Sequence, residues 1–290
     1  MTALVERLKA RIAAAGPITL AEYISDCLLD PRHGYYATRD PLGAGGDFTT
    51  APEISQMFGE LIGLCLAQNW LDQGAPAPFT LAEPGPGRGT LMADIWRATR
   101  GVPGFHAAAR LHLIEASPVL RAAQRKALHG LSVTWHERAD TLPDTPLWLV
   151  ANEFFDALPI RQFQREGAQW RERVVGLHED ALAMGLSDPA PRPELAHRLA
   201  DTGPGDIVET CPAAATVMAA IGARIALYGG AALIIDYGGW RSLGDTFQAL
   251  REHAYADPLT DPGTADLTAH VDFEALARAL DVRITGLHAH

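Results

Sequence analysis

Three cysteines in 290 residues, Cys27, Cys65 and Cys211, with no C-x-x-C pair among them, supply neither a disulfide framework nor a cysteine-rich metal module. The first two fall on apolar helical stripes, so all three are expected to be buried structural thiols. A surplus of positive charge is also missing. Against 24 Lys+Arg stand 35 Asp+Glu, a net charge of -11 with no basic run, and a protein that tracks a nucleic-acid backbone carries the opposite sign. No apolar run approaches the roughly 20 residues of a membrane-spanning helix. The first residues, MTALVERLKARIAAAG, lack the apolar core of a secretory signal and instead repeat Leu4, Leu8 and Ile12 every four positions, as on one helix face. A cytoplasmic location is expected from this. Internal repeats and low-complexity tracts are absent. No H-E-x-x-H or comparable spacing occurs, and no metal is assigned.

What is present is 48% apolar and 20% charged, enough for one large domain with appendages or two small ones. Up to about residue 75 the pattern is helical. Thr19 and Glu22 form a capping box for a helix that Pro31 ends, and Thr50 with Glu53 predicts a second box opening a long helix. That helix would bury Ile54, Met57, Phe58, Leu61, Ile62, Cys65 and Leu66 on one wide face. From Phe79 onward short apolar runs (FTLAEPG, RLHLIEA, LSVTWHE, PLWLVANEF and later AALIIDYG) alternate with helical stretches, which reads as an α/β doubly wound parallel sheet. Residues 160–187 alternate like antiparallel ribbons and are read as a β-rich insertion. The expected organisation is an N-terminal helical cap, residues 1–75, followed by a Rossmann-like domain, residues 76–290, as a single compact unit.

The strongest local signal is LAEPGPGRGTL, a strand ending in Glu83 that runs through Gly85, Gly87 and Gly89 into a helix starting near Thr90. Glycines let the backbone approach a nucleotide-like cofactor without a Cβ clash, and the helix start offers free N–H groups. A dinucleotide fingerprint would want Gly or Ala where Thr90 stands. The spacing E-x-G-x-G-x-G resembles instead the first motif of class I S-adenosylmethionine (SAM) methyltransferases. SAM carries an ammonium and a sulfonium and no phosphate, so a carboxylate at the strand tip suits it and would repel a pyrophosphate. A glycine loop that merely turns the chain is the alternative. Glu115, at the end of the next strand, is placed to accept from both ribose hydroxyls, or else is a carboxylate favoured at a helix start.

After the fourth strand come Asn152, Glu153 and Asp156, at the carboxyl edge where open α/β sheets bind their ligands. Were the methyl acceptor an arginine, carboxylates would hold its guanidinium and take the departing proton, with Glu153 and Asp156 as candidates. The competing reading has Asn152 and Asp156 capping a helix while Glu153 faces water. Phe48, Thr50, Ser55 and Gln56 lie in a glycine-hinged stretch able to cover a ligand. Asp266, Thr268, His270 and Asp272 in DLTAHVDF are read as capping and turn residues, with a metal site as the other possibility.

Together DPRHGYY, GDFTTAPEISQMFGELIG, EPGPGRGTLMADI, NEFFDALPIRQF, IIDYGG and DLTAHVDF resemble the MidA-type family of SAM-dependent methyltransferases over about residues 19–273. The resemblance implies a class I methyltransferase sheet with SAM as cofactor. It also implies modification of an arginine of a NuoD-type subunit during assembly of respiratory complex I. Symmetric ω-dimethylarginine is the product attributed to the mitochondrial member of the family. Carried over by motif, Glu83, Gly85, Gly87 and Gly89 are cofactor-loop positions, Glu115 is the ribose acid, and Asn152, Glu153 and Asp156 sit where substrate meets methyl. Thr90, Phe48 and Thr50 flank the cofactor positions and are grouped with them. One departure concerns DVRITGLHAH, which reads as a sixth strand, leaving the final antiparallel strand of the class missing. Either the sixth strand moves into the vacant slot, or an open sheet edge is exposed and invites homodimerisation. Other readings are methylation of a different protein or a small molecule, a non-catalytic assembly chaperone, and a nicotinamide dehydrogenase. Thr90 and the lack of a hydride-transfer acid/base partner speak against the last.

Overall fold

The computed structural model describes residues 3–38 and 50–280. Numbering only its parallel strands, β1 is Phe79–Pro84, β2 Ala109–Ile114, β3 Val133–His136, β4 Leu147–Asn152 and β5 Gly230–Ile235. They form one sheet in the order β5-β4-β1-β2-β3, every pairing parallel. Chain order reverses beside β1, whose neighbours are β2 and β4, and a crevice opens at such a switch point beyond the carboxyl ends of the strands. The doubly wound sheet expected from the alternating runs is the one observed. The expected sixth strand lies outside the described residues.

The central strands are largely apolar because helices cover them. β1 is buried along its whole length, and Leu81, Leu111, Leu113, Trp148 and Val150 share one core with Leu66, Leu91, Met92 and Ile95 of the helices. Trp70, Phe79, Phe105 and Trp148 form its aromatic centre, ring centroids 5.1–5.5 Å apart. The indole N–H groups of Trp70 and Trp148 are satisfied by Pro76 O and Asn69 Oδ1.

Two expectations about the long helix need correction. Thr50 caps only a four-residue turn, Ala51–Ile54, without a side-chain bond, and the helix proper is Gln56–Asp72. Its buried face is Gly59, Ile62, Gly63, Leu66, Ala67 and Trp70, whereas Ile54, Met57 and Leu61 are 73%, 63% and 60% exposed and Cys65 is exposed too. The glycines decide this. A Cβ on Gly59 would stand 2.6 Å from Asp94 Cβ, and one on Gly63 2.9 Å from Ile95 Cα, so this helix and Thr90–Ala98 meet backbone to backbone on the small-residue face.

Contacts divide the chain into two compact units, not at residue 75 as expected. One holds residues 39–155, 214–236 and 276–290, including the parallel sheet and the Gln56–Asp72 helix; the other holds residues 1–38, 156–213 and 237–275. In the second unit the capping box is intact: Thr19 N–H donates to Glu22 Oε2 (2.9 Å) and Glu22 N–H to Thr19 Oγ1 (3.2 Å). Arg161–Glu166, Gln169–His178 and Ala181–Leu186 form the antiparallel ribbon read from the sequence, joined by Ile207–Thr210 and by Ile18–Thr19. Phe163, Trp170, Leu195 and Val208 fill its core. In DLTAHVDF, Asp272 Oδ1 accepts from Ala275 N–H and its Oδ2 from Ser242 N–H, as a helix cap does, and Asp266 Oδ1 accepts from Tyr36.

Candidate functional site

Strand β1 delivers Glu83 to the switch point fully buried. The first helix after the loop, Thr90–Ala98, begins at a glycine that has no side chain to cap it, and the Glu83 carboxylate accepts from the N–H of its third residue, Met92. The other oxygen, Oε2, has no hydrogen-bond partner among the described residues. Burial pushes this carboxyl up to about 8, against the milder opposing effect of the Met92 bond.

The loop between them is built of left-handed turns. Gly85, Gly87 and Gly89 have φ of 60°, 53° and 87°. Gly85 N–H prolongs the sheet by donating to Ile114 O (2.9 Å), and a Cβ there would lie 2.7 Å from Phe154 Cδ2, so the turns after β1 and β4 touch. Gly89 N–H closes onto Pro86 O (2.7 Å). Thr90 Oγ1 donates to Glu53 Oε1 (2.6 Å), which ties the Ala51–Ile54 turn to the loop and explains why the Thr50–Glu53 box is not made. Thr50 stands at the start of that turn, its carbonyl accepting from Glu53 N–H.

Glu115 follows β2 and is nine-tenths buried. Its Oε1 accepts from Ser117 N–H (2.7 Å) and its Oε2 from Gln124 Nε2 (3.1 Å), while desolvation raises its pKa. The carboxylate also accepts from Ala116 N–H, and lone-pair capacity remains for a ligand hydroxyl.

Asn152 ends β4, with Nδ2 3.4 Å from Glu153 Oε1. Glu153 sits at φ 49°, unusual for a non-glycine residue and costing on the order of 1 kcal/mol or more. Its own N–H is held by Ile235 O (2.9 Å), its carboxylate accepts from Ala51 N–H, and burial raises its pKa, with Asp236 adding like-charge repulsion. Asp236, at the end of β5, accepts from both Phe154 N–H (3.2 Å) and Phe155 N–H (2.9 Å) on one oxygen. Glu83, the glycines, Thr90, Glu115, Asn152 and Glu153 therefore gather at the carboxyl end of a single sheet. Asp156 belongs to the other unit, where its carbonyl accepts from Ala269 N–H. Phe48 lies outside the described residues.

Asp236, Phe154 and Gln124 were not singled out by sequence reasoning, although Asp236 and Phe154 stood inside quoted motifs, and Glu53 was read only as part of a capping box. Gln124 carried a signal: it lies four residues after Leu120, on the apolar face of its helix, where a polar side chain must find partners inside.

The unpaired Glu83 oxygen beside a glycine loop fits a cationic, nucleoside-bearing ligand better than an anionic one. Comparison with known proteins agrees. A family model for S-adenosyl-L-methionine-dependent methyltransferases matches residues 61–290. The chain is 38% identical over 303 residues to a protein named mitochondrial protein arginine methyltransferase NDUFAF7 of Xenopus laevis, covering 95% of this chain and 69% of that one. It is 37% identical over 314 residues to the protein of the same name in Homo sapiens, covering 99% and 71%. A COG1565 superfamily member from Burkholderia thailandensis, crystallised with S-adenosyl-homocysteine, superposes with a TM-score of 0.79 at 30% identity over 96% of this chain and 75% of that one.

Proposed function

The chain belongs to the family of S-adenosyl-L-methionine-dependent methyltransferases, and from that membership we propose that it methylates an arginine side chain of a protein, with Glu153 as the carboxylate that engages the acceptor. The observation that carries this reading is Glu153 itself. It is a partly buried acid held in a left-handed backbone at the tip of β4, next to the glycine loop, and not released into solvent. Strain at one residue, imposed by Ile235 O on its amide and by Ala51 N–H on its carboxylate, is what a positioned reactive group looks like.

When bound, SAM supplies an electrophilic methyl on a sulfonium. Glu83 and Glu115 bind its amino and ribose ends, and the loop glycines admit it to backbone distance. Guanidinium is a poor nucleophile while its charge is spread, so Glu153, with Asn152 beside it, orients one N–H group and polarises it. A nitrogen–carbon bond forms as the sulfur–carbon bond breaks. The displaced proton leaves through the carboxylate, whose raised pKa brings it nearer the working pH.

Charge supports a cationic protein substrate. The unit formed by residues 1–38, 156–213 and 237–275 has three-fifths of the 35 acidic side chains and only half of the 24 basic ones, so most of the net charge of -11 resides there. The relatives named protein arginine methyltransferase support the arginine acceptor. The family resemblance nominates a NuoD-type subunit of complex I in the cytoplasm. The test is incubation of the purified chain with SAM and a NuoD-type subunit, followed by peptide mass spectrometry. Methylated arginine is expected with the natural chain. With Glu153→Gln the rate should fall by roughly 10²-fold or more while S-adenosylhomocysteine binding stays within about threefold. Methylation of a different residue type, or an unchanged rate in the variant, refutes the assignment. Complex I assembly that survives Glu153→Gln with Asp156→Asn points to a chaperone.

A further inference from the structure

Helix Pro118–Ala127 buries two side chains, Leu120 and Gln124, and the second is polar. Gln124 is fully enclosed, and both its amide N–H₂ and its oxygen are engaged. One side-chain N–H₂ group donates to Gly87 O (2.8 Å) and to Glu115 Oε2 (3.1 Å), and Oε1 accepts from Trp135 Nε1 (2.8 Å). An indole N–H can only donate, so the amide has one orientation, and flipping it would set donor against donor. The Cα of the same residue is the nearest atom to a Cβ built on Gly89, at 3.4 Å, so its helix also supports the end of the loop.

Gly87 lies in the loop after β1 and Glu115 just after β2, in two neighbouring connections of the sheet. The two hydrogens of a planar amide fix the separation of the loop carbonyl and the acid oxygen. We propose that Gln124 is a positioning residue of the methyltransferase, holding the glycine loop and the ribose acid in register through one amide anchored on Trp135. The inference rests on Glu115 being the acceptor of the ribose hydroxyls. Glutamate at 124 would face Glu115 with like charge and no donor, asparagine is one methylene short, and methionine keeps the shape but neither bond.

Calorimetric titration with S-adenosylhomocysteine tests it on the natural chain, Gln124→Met, Glu115→Gln and the double variant. Gln124→Met and Glu115→Gln are each expected to weaken binding about tenfold, since each removes a hydrogen bond made to or by a charged group. The double variant should be no weaker than about the worse single one, because an acid that is gone needs no orienting. Trp135→Phe keeps the packing and frees the amide. It should weaken binding about threefold in the natural background and leave affinity unchanged in Glu115→Gln, and it carries the test if Gln124→Met does not fold. Losses that multiply in the double variant, or equal losses from Trp135→Phe in both backgrounds, overturn the proposal. So does a Gln124→Met chain that binds normally while Glu115→Gln does not. If Glu115→Gln itself binds normally, the ribose assignment falls and takes the proposal with it.

Discussion

Raising the pH should tighten cofactor binding, and the size of the effect follows from Glu83. Without ligand its carboxyl is pushed up to about 8 by burial, with Oε2 unpaired. If the ammonium of S-adenosylhomocysteine meets Glu83 in its ionised form, as proposed, the protonated fraction must first give up its proton. The penalty on affinity is one plus ten raised to the gap between pKa and pH: about 100-fold at pH 6, about 10-fold at pH 7 and about 2-fold at pH 8. Affinity should therefore improve roughly fifty-fold from about pH 6 to about pH 8, with close to one proton released per ligand near pH 7. Calorimetry in two buffers of different ionisation enthalpy reads both quantities. The same titration on Glu83→Gln subtracts the ligand's own amine and should be nearly flat. A dissociation constant in the natural chain that does not move across this window, with no proton released, would show that Glu83 is already ionised or does not meet the ammonium. A second consequence has the opposite sign. The folded ligand-free chain keeps this proton up to about 8 while an unfolded chain gives it up near 4.5, so stability without cofactor falls as pH rises through that window, and ligand offsets the fall.

Gly85→Ala should destabilise the fold by about 1–3 kcal/mol in urea unfolding and weaken S-adenosylhomocysteine binding, because φ is 60° and the new Cβ meets Phe154 Cδ2 at 2.7 Å. Pairing it with Phe154→Leu should recover part of the loss but not the backbone component. The His112 Nδ1 to His136 Nε2 bond (2.8 Å) gives an acid limb: burial and repulsion from His136 push His112 down to about 4. An unfolded chain takes up that proton below about 6.5, so the contribution is intact above this pH and lost as pH falls toward 4. Melting temperature should drop over that interval, and His112→Gln, which keeps a hydrogen-bonding group without titrating, should flatten the drop.

The parallel sheet and the loop after β1 were legible because both are written locally, as apolar runs of strand length ending in a carboxylate and spaced glycines. The box at Thr19 and Glu22 was legible for the same reason, since donor and acceptor lie three residues apart. The same pattern at Thr50 and Glu53 misled because Glu53 has a better partner, Thr90, far along the chain. Hydropathy also misjudged part of the buried face of Gln56–Asp72, placing Ile62 and Leu66 rightly but Met57 and Leu61 wrongly. It gives no weight to Gly59 and Gly63, yet close approach of two backbones there decides which side is covered. The ribbon within 160–187 was visible as alternation. That its unit also takes in residues 1–38 and 237–275, and begins at Asp156, depends on pairings between distant segments that no local window contains. For the site, residue types at strand ends sufficed to nominate Glu83, Glu115 and Glu153. Gln124 bonds Glu115, and Asp236 bonds the turn that follows Glu153, pairings that only the folded chain makes.

The bonds from Phe154 and Phe155 to Asp236 set an order of events. The cofactor half of the site closes within a short stretch of chain: Glu83, the glycines, Glu115, Gln124 and Trp135 all lie between β1 and β3. The turn carrying Glu153 needs Ile235 O and Asp236, which lie more than 80 residues further along the chain, beyond residues 156–213. Loop-closure entropy makes that late contact the slow one. If Glu83 and Glu115 hold the cofactor and Glu153 the acceptor, as proposed, a growing chain completes the residues of the first side well before those of the second.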